Sequence, residues 1–315
     1  MDGSAKLLEP DLPLLDLLSR LDRGGYAFTP PTPATHRRVV ARRAGAIAGN
    51  LRDILGWSLP FDPAQAPGFL VEALETAGLL RRLPDGTAKS AVRVARLQGR
   101  LFLHSAFPTD QEDAVFLGPD SYRFADFIAR ELAPDTAGRI VDVGGGAGVG
   151  ALAAAAVAPA AEVAVTDINP AALRFARVNA AHAGVPLSTL QTSGLDSVAG
   201  DIDVVLANPP YMADSRQAYR DGGDLHGGRL SVDWAEAALG KLKPGGRLLL
   251  YTGSAILDGG RDELGRALRA AAVAHGAALD YREIDPDVFG EELETDAYAD
   301  VERIAVVTAV IKKRR

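Results

Sequence analysis

Cysteine is absent from the 315 residues, which excludes disulfides, thiolate zinc sites and a cysteine nucleophile. Aromatic residues make up only 6%, so the core has to be built mainly from aliphatic side chains. Long apolar runs are also missing. The longest, near Val149 to Ala161, is Ala-rich and too short to span a bilayer. The start Met1-Asp2-Gly3-Ser4 lacks the basic region and apolar stretch of a secretory signal. Ser121, Ser193 and Ser231 have no nucleophile-elbow context, and His36, His104, His182 and His275 have no metal-ligand spacing. The expectation is a cytoplasmic protein without a membrane partner, a hydrolase triad or a metal centre.

The apolar fraction of 47% supports a sizeable core, and the length fits two domains. The net charge of −7 is uneven. Residues 1–110 hold 14 Lys and Arg against 11 Asp and Glu, and the remainder holds 20 against 30. A basic face on an otherwise acidic chain can attract a polyanion, although solvated helix faces account for the same margin.

Residues 1–110 lack βα alternation. Apolar spacing predicts a helix over Leu12–Leu21, ending at Gly24-Gly25. A second runs from an N-cap at Thr35 towards Leu55, and a third over Phe69–Thr76 is opened by Pro67 and stopped by Gly78. Strand-like stretches at Leu79–Leu83 and Val92–Leu97 flank the turn Pro84-Asp85-Gly86, with a third at Arg100–His104. This reads as a helical, winged-helix-like accessory or substrate-recognition domain. From 111 to 315 strand and helix patterns alternate. They predict a helix at Ser121–Leu132, a long helix over Asp258–His275, and a short central strand at Gly246–Tyr251. The pattern is that of a doubly wound, mostly parallel α/β domain of seven strands, with ligands at the carboxyl ends of the strands.

Asp203-Val204-Val205-Leu206-Ala207 reads as a buried strand that ends at Asn208-Pro209-Pro210-Tyr211. The prolines lock the backbone and remove two N–H donors, leaving rigid carbonyls. An Asn oxygen and a neighbouring carbonyl can accept both hydrogens of a planar NH2 group, and the Tyr ring can lie against its face. Upstream, Asp142 precedes Gly144-Gly145-Gly146-Ala147-Gly148 before a helix, a turn in which glycine lets the backbone approach a ligand. Asp167, at the end of the next strand, can accept both hydroxyls of a ribose. A dinucleotide site is the rival reading, because Gly146 to Ala151 satisfies the looser G-x-G-x-x-A form. The Asp-x-Gly-x-Gly-x-Gly run combined with Asn208–Tyr211 favours S-adenosylmethionine (SAM) over a nicotinamide cofactor.

These motifs, with Val165 to Leu173, resemble the class I SAM-dependent methyltransferases with an Asn-Pro-Pro-Tyr motif. The nearest kind is the HemK-type glutamine and adenine N-methyltransferases, over about residues 115–311. The resemblance implies a Rossmann-like fold and SAM as cofactor. It implies that Gly144–Gly148 lines the methionine part, that Asp167 holds the ribose and that Ile168 packs on the adenine. Ser193 or the Gly194 amide stands where the family often has an Asp near the adenine amine. Catalytic roles fall to Asn208, Pro209, Pro210 and Tyr211. The segment Phe116 to Tyr122 departs from the Arg-Pro-Glu-Thr-Glu-like run of the release-factor enzymes. The implied partner is therefore a protein of the release-factor kind or a nucleic acid. A small metabolite, or a SAM- or nucleic-acid-binding regulator without turnover, are the alternatives. The Gly-rich stretch Asp221–Gly228 is a candidate cover for the substrate, and His226 within it reads as a loop histidine.

Overall fold

The computed structural model of the chain describes residues 7–109, 111–213 and 221–315. The Met1–Ser4 start lies outside them. The chain opens with α1 (Leu12–Arg23), α2 (Pro33–Ala41), α3 (Leu51–Leu55) and α4 (Gly68–Thr76). The expected helix from Thr35 to Leu55 is two helices. Thr32 caps α2 by accepting from the Thr35 amide, and Asn50 caps α3 by accepting from Asp53. Between them residues 42–45 form a turn in which Gly45 takes a positive φ of 77°.

Two antiparallel hairpins follow: β1 (Leu80–Arg82) with β2 (Ala88–Ser90), and β3 (Val92–Leu97) with β4 (Arg100–Ser105). The pairing across Pro84-Asp85-Gly86 thus joins Leu80–Arg82 to Ala88–Ser90 and not to Val92–Leu97. The latter closes on β4 through Gln98 and Gly99, both at positive φ, as a two-residue hairpin turn of the right twist requires.

The remaining elements are α5 (Pro119–Glu131), β5 (Gly138–Val143), α6 (Val149–Val157), β6 (Ala161–Asp167), α7 (Pro170–His182), β7 (Leu187–Gln191) and β8 (Ile202–Ala207). They continue with α8 (Arg229–Lys241), β9 (Leu242–Leu257), β10 (Arg261–Asp262), α9 (Glu263–Ala274), β11 (Ala277–Asp285) and β12 (Val301–Lys313). The sheet order is β11-β12-β9-β8-β5-β6-β7. The five strands from β9 to β7 are parallel, and β12 runs antiparallel between β9 and β11. This is the expected doubly wound sheet, with β10 added as a short eighth strand beside β9. Gly259 and Gly260, both at positive φ, fold Arg261–Asp262 back onto Ile256–Leu257. Asp262 then caps α9 by accepting from Gly265, so that helix starts later than the apolar pattern alone implies. Strand order reverses at β5, which lies between β6 and β8, and this opens a crevice at their carboxyl ends.

Packing does not respect the change of pattern near residue 110. One apolar cluster joins Leu14, Leu18, Leu74 and Leu103 of the N-terminal region to Ala147, Phe175 and Val178. Buried Asn179 of α7 ties the two regions in polar terms. Its Oδ1 accepts from the Leu103 amide at 2.8 Å, and its Nδ2 donates to Leu103 O at 3.1 Å and Ala147 O at 3.0 Å. Arg174 of the same helix donates to buried Asp11 at 2.7 Å and to Ala77 O at 2.9 Å. The 1–110 segment is therefore fastened along one face of α7.

Candidate active site

The turn between β5 and α6 is shaped from below by Asp142. Its carboxylate is buried, with Oδ2 accepting from the Ala151 amide at 2.9 Å. Its Oδ1 is also buried and has no hydrogen-bond partner among the described residues. Burial pushes the carboxyl up to about 7, the α6 amides pull it down, and the nearby Asp167 charge pushes it further up. A Cβ at Gly145 or Gly150 would come within 2.7 Å of Asp142 Oδ2, so glycine is needed at both. Asp142 thus holds the loop from beneath. Ala147 is buried, its carbonyl taken by Asn179, and Gly148 caps α6 with φ 83°. Gly146 is different: with φ 54°, a Cβ there would meet no protein atom closer than 4.0 Å. It is the open surface of the turn.

Asp167 ends β6 half-buried. Oδ2 accepts from Gly146 N and Oδ1 from Asn169 N, each at 2.9 Å. Burial raises its carboxyl, against the pull of those amides. A carboxylate offers about four acceptor directions, so about two remain for a ligand. Next to it Ile168 is 69% exposed, an apolar side chain left open at a strand end. Thr166 Oγ1 donates to Gly194 O at 2.8 Å and pins the turn after β7, where Ser193 is exposed.

Sequence reasoning missed Trp234 of α8. A Cβ on Gly144 would lie 2.4 Å from its ring, and one on Gly194 would lie 3.6 Å from its Nε1. The indole therefore wedges between the turns after β5 and β7. Its only local signal is rarity, as one of two tryptophans.

Ala207 pairs with Val143, which pairs on its other side with Thr166. Asn208, Gly144 and Asp167 consequently leave adjacent strand ends. Asn208 is half-buried, and its side chain makes no hydrogen bond among the described residues; Pro209 is buried. Tyr211 is buried, and its hydroxyl donates to Asp120 Oδ2 at 2.9 Å. Tyr251 donates to the other oxygen at 2.8 Å, and Arg123 stands 3.6 Å from it. Burial, then the Asp120 charge, pushes the Tyr211 phenol well above its usual range. Gly253 makes room for the ring, since a Cβ there would lie 2.3 Å from it. Asp120 belongs to the pre-core segment that departs from the release-factor pattern, and no local motif marks it.

The Asp221–Gly228 stretch packs directly on the tetrapeptide. Gly222 N donates to Met212 O at 2.8 Å, and a Cβ on Gly222 would fall 2.7 Å from Pro210 O. His226 Nε2 lies 2.9 Å from Asp300 Oδ1, engaged with the segment before β12.

A family model described as the methyltransferase small domain matches residues 114–256. Over 273 residues the chain is 29% identical to the release factor glutamine methyltransferase of Cereibacter sphaeroides, covering 81% of this chain and 92% of that one. The chain is thus similar to class I SAM-dependent methyltransferases of the HemK type. The chain is also 30% identical over 178 residues to the release factor glutamine methyltransferase of Deinococcus radiodurans, but it covers only 63% of that protein's length. Its fold matches a solved putative transferase of Pyrococcus horikoshii at TM-score 0.51 and 14% identity, over 90% of this chain and all of that one. SAM is the cofactor of such a methyltransferase, and the site fits it. Asp167 keeps acceptor capacity for the ribose, Ile168 offers an open apolar surface to the adenine, and Gly146 leaves the backbone free to approach. No described helix of the chain is long and apolar enough to cross a membrane.

Proposed function

We propose that the enzyme methylates a planar NH2 nitrogen, either a glutamine amide of a protein or the exocyclic amine of a nucleobase. The observation that carries this reading is Asn208. It stands at the carboxyl end of β8 beside the glycine turn, half-buried, with its amide uncommitted among the described residues. SAM supplies an activated methyl group, so the protein's task is alignment. The lone pair of such a nitrogen is delocalised into its carbonyl or ring. Acceptors at Asn208 Oδ1 and the Pro209 carbonyl would draw on its two hydrogens and favour a tetrahedral nitrogen with its lone pair free. That contact strengthens as the bond forms, which is the condition for raising turnover. Tyr211 contributes its ring, because its hydroxyl is spent on Asp120.

The test is incubation with methyl-labelled SAM and fractionated cell extract, using the wild-type enzyme and Asn208→Ala. Label should enter protein or nucleic acid as N-methyl. The variant should lose about a hundredfold or more in turnover, as for one preorganised polar contact, with SAM affinity nearly intact. Label on oxygen or carbon, or near-normal turnover of Asn208→Ala, would sink the assignment.

A further inference from the structure

The sequence from Gly24 to Arg52 contains Arg37, Arg38, Arg42, Arg43 and Arg52 and no Asp or Glu, in a chain of net charge −7. Four of these arginines fall within the seven positions of the last turn of α2 and the residues just after it. All four are exposed. A helix C-terminus favours one or two cations through its dipole, not four arginines side by side. Arg43 pairs with Asp53 at 2.8 Å and lies over the half-buried Trp57 ring, 5.7 Å from its centroid. Arg37, Arg38 and Arg42 have no ion-pair partner among the described residues.

The buried side of α2, opposite these arginines, packs on the chain that leads towards the catalytic region. Phe107 stacks on His36 of α2 with ring centroids 4.2 Å apart. Further along the sequence, the Asp113 carbonyl accepts from Asn169 Nδ2 at 2.9 Å, next to Asp167. Exposed guanidinium groups without an acidic partner are the side chains that neutralise a phosphate backbone.

We infer that this arginine face of α2 holds the phosphate backbone of an RNA whose unpaired base is delivered to Asn208. The inference rests on the proposed transfer to an NH2 nitrogen and names the nucleobase amine as the acceptor. RNA is favoured over duplex DNA because the reacting amine must be unpaired and unstacked. RNA loops meet that condition without the unstacking that a duplex requires.

The experiment titrates a fluorescein-labelled, mixed-sequence RNA hairpin with the full-length enzyme and with R37Q/R38Q/R42Q, from about 50 to about 200 mM salt. SAM affinity and melting temperature are measured in parallel. Wild-type affinity should fall steeply with salt. The variant should bind at least about tenfold more weakly at low salt, with a log–log salt slope shallower by about two, as for three lost single-strand phosphate contacts. SAM affinity and melting should be unchanged. Equal RNA binding by variant and wild type, no RNA binding, or tighter binding of duplex DNA would overturn the inference. Methyl label found on a protein glutamine would also overturn it while leaving the NH2 assignment standing. Label on oxygen or carbon would remove that assignment, and the acceptor named here with it, whatever the hairpin titration shows.

Discussion

Tyr211 and Asp120 stand 91 residues apart in the chain and are joined by a 2.9 Å hydrogen bond from phenol to carboxylate. Asp120 also receives Tyr251, so one side chain at the start of α5 anchors the tetrapeptide after β8 to the central strand β9. The Tyr211 ring, at the proposed substrate site, is thereby held by its far end.

Replacing Asp120 with Ala leaves two buried phenols without an acceptor, at about 1–3 kcal/mol each. Urea denaturation of Asp120→Ala should show that loss. Steady-state kinetics should show turnover reduced at least about tenfold at saturating SAM, with SAM affinity unchanged. Asp120→Asn keeps an acceptor and should recover part of the activity. If Asp120→Ala retained full turnover, anchoring of Tyr211 would have no part in catalysis.

In the proposed cofactor site Asp167 would offer its remaining acceptor positions to the ribose while holding Gly146 and Asn169. Asp167→Ala should weaken SAM binding by about 1.5–3 kcal/mol, the range for hydrogen bonds to a charged group. Calorimetry giving an unchanged affinity would take Asp167 out of the cofactor site.

Asp142 makes stability depend on pH. Its carboxyl rises from 3.8 to about 7 in the folded chain because it is buried. The unfolded chain therefore releases that proton first as pH rises. The associated stability is complete below 3.8 and is lost as pH climbs to about 7. Asn cannot ionise, so the melting-temperature difference between Asp142→Asn and wild type should grow in the variant's favour across that window, then level off. A difference that stays constant with pH would contradict a buried, charge-averse carboxyl. Because Asp167 contributes to the shift, the same experiment in an Asp167→Asn background should show a narrower window.

Asn179 joins the N-terminal region to the glycine turn. Asn179→Ala abandons the buried Leu103 amide and carbonyl and the Ala147 carbonyl, at a cost of about 3 kcal/mol or more, from about 1–3 kcal/mol for each group. Denaturation should show one cooperative transition at lower denaturant, together with weaker SAM binding because Ala147 lies in the turn. If SAM affinity were untouched, the N-terminal region would not support the cofactor site. The shared apolar core makes this substitution a cleaner probe than cutting the chain near Gln111, which would expose Phe175 and Val178.

The sequence alone determined the order of strands and helices after residue 110 apart from β10, the glycine turn, Asp167 at a strand end and Asn208 behind β8. Each follows from local periodicity, proline and glycine chemistry or a short motif, all of which act between residues close in the chain. Helix limits were less legible. A turn over residues 42–45 and the Asn50 cap divided one apolar-spaced stretch into α2 and α3, and the Gly259-Gly260 turn delayed α9, because local turns and caps override periodicity. Only the tertiary structure decided that Asp120 faces Tyr211, that Trp234 wedges between Gly144 and Gly194, and that Asn179 fastens Leu103 to Ala147. Those contacts depend on sheet order, on parallel register such as Val143 with Ala207, and on which helix face meets the sheet. Such relationships span distant parts of the chain and are set by burial of the whole core, so no stretch of residues announces them.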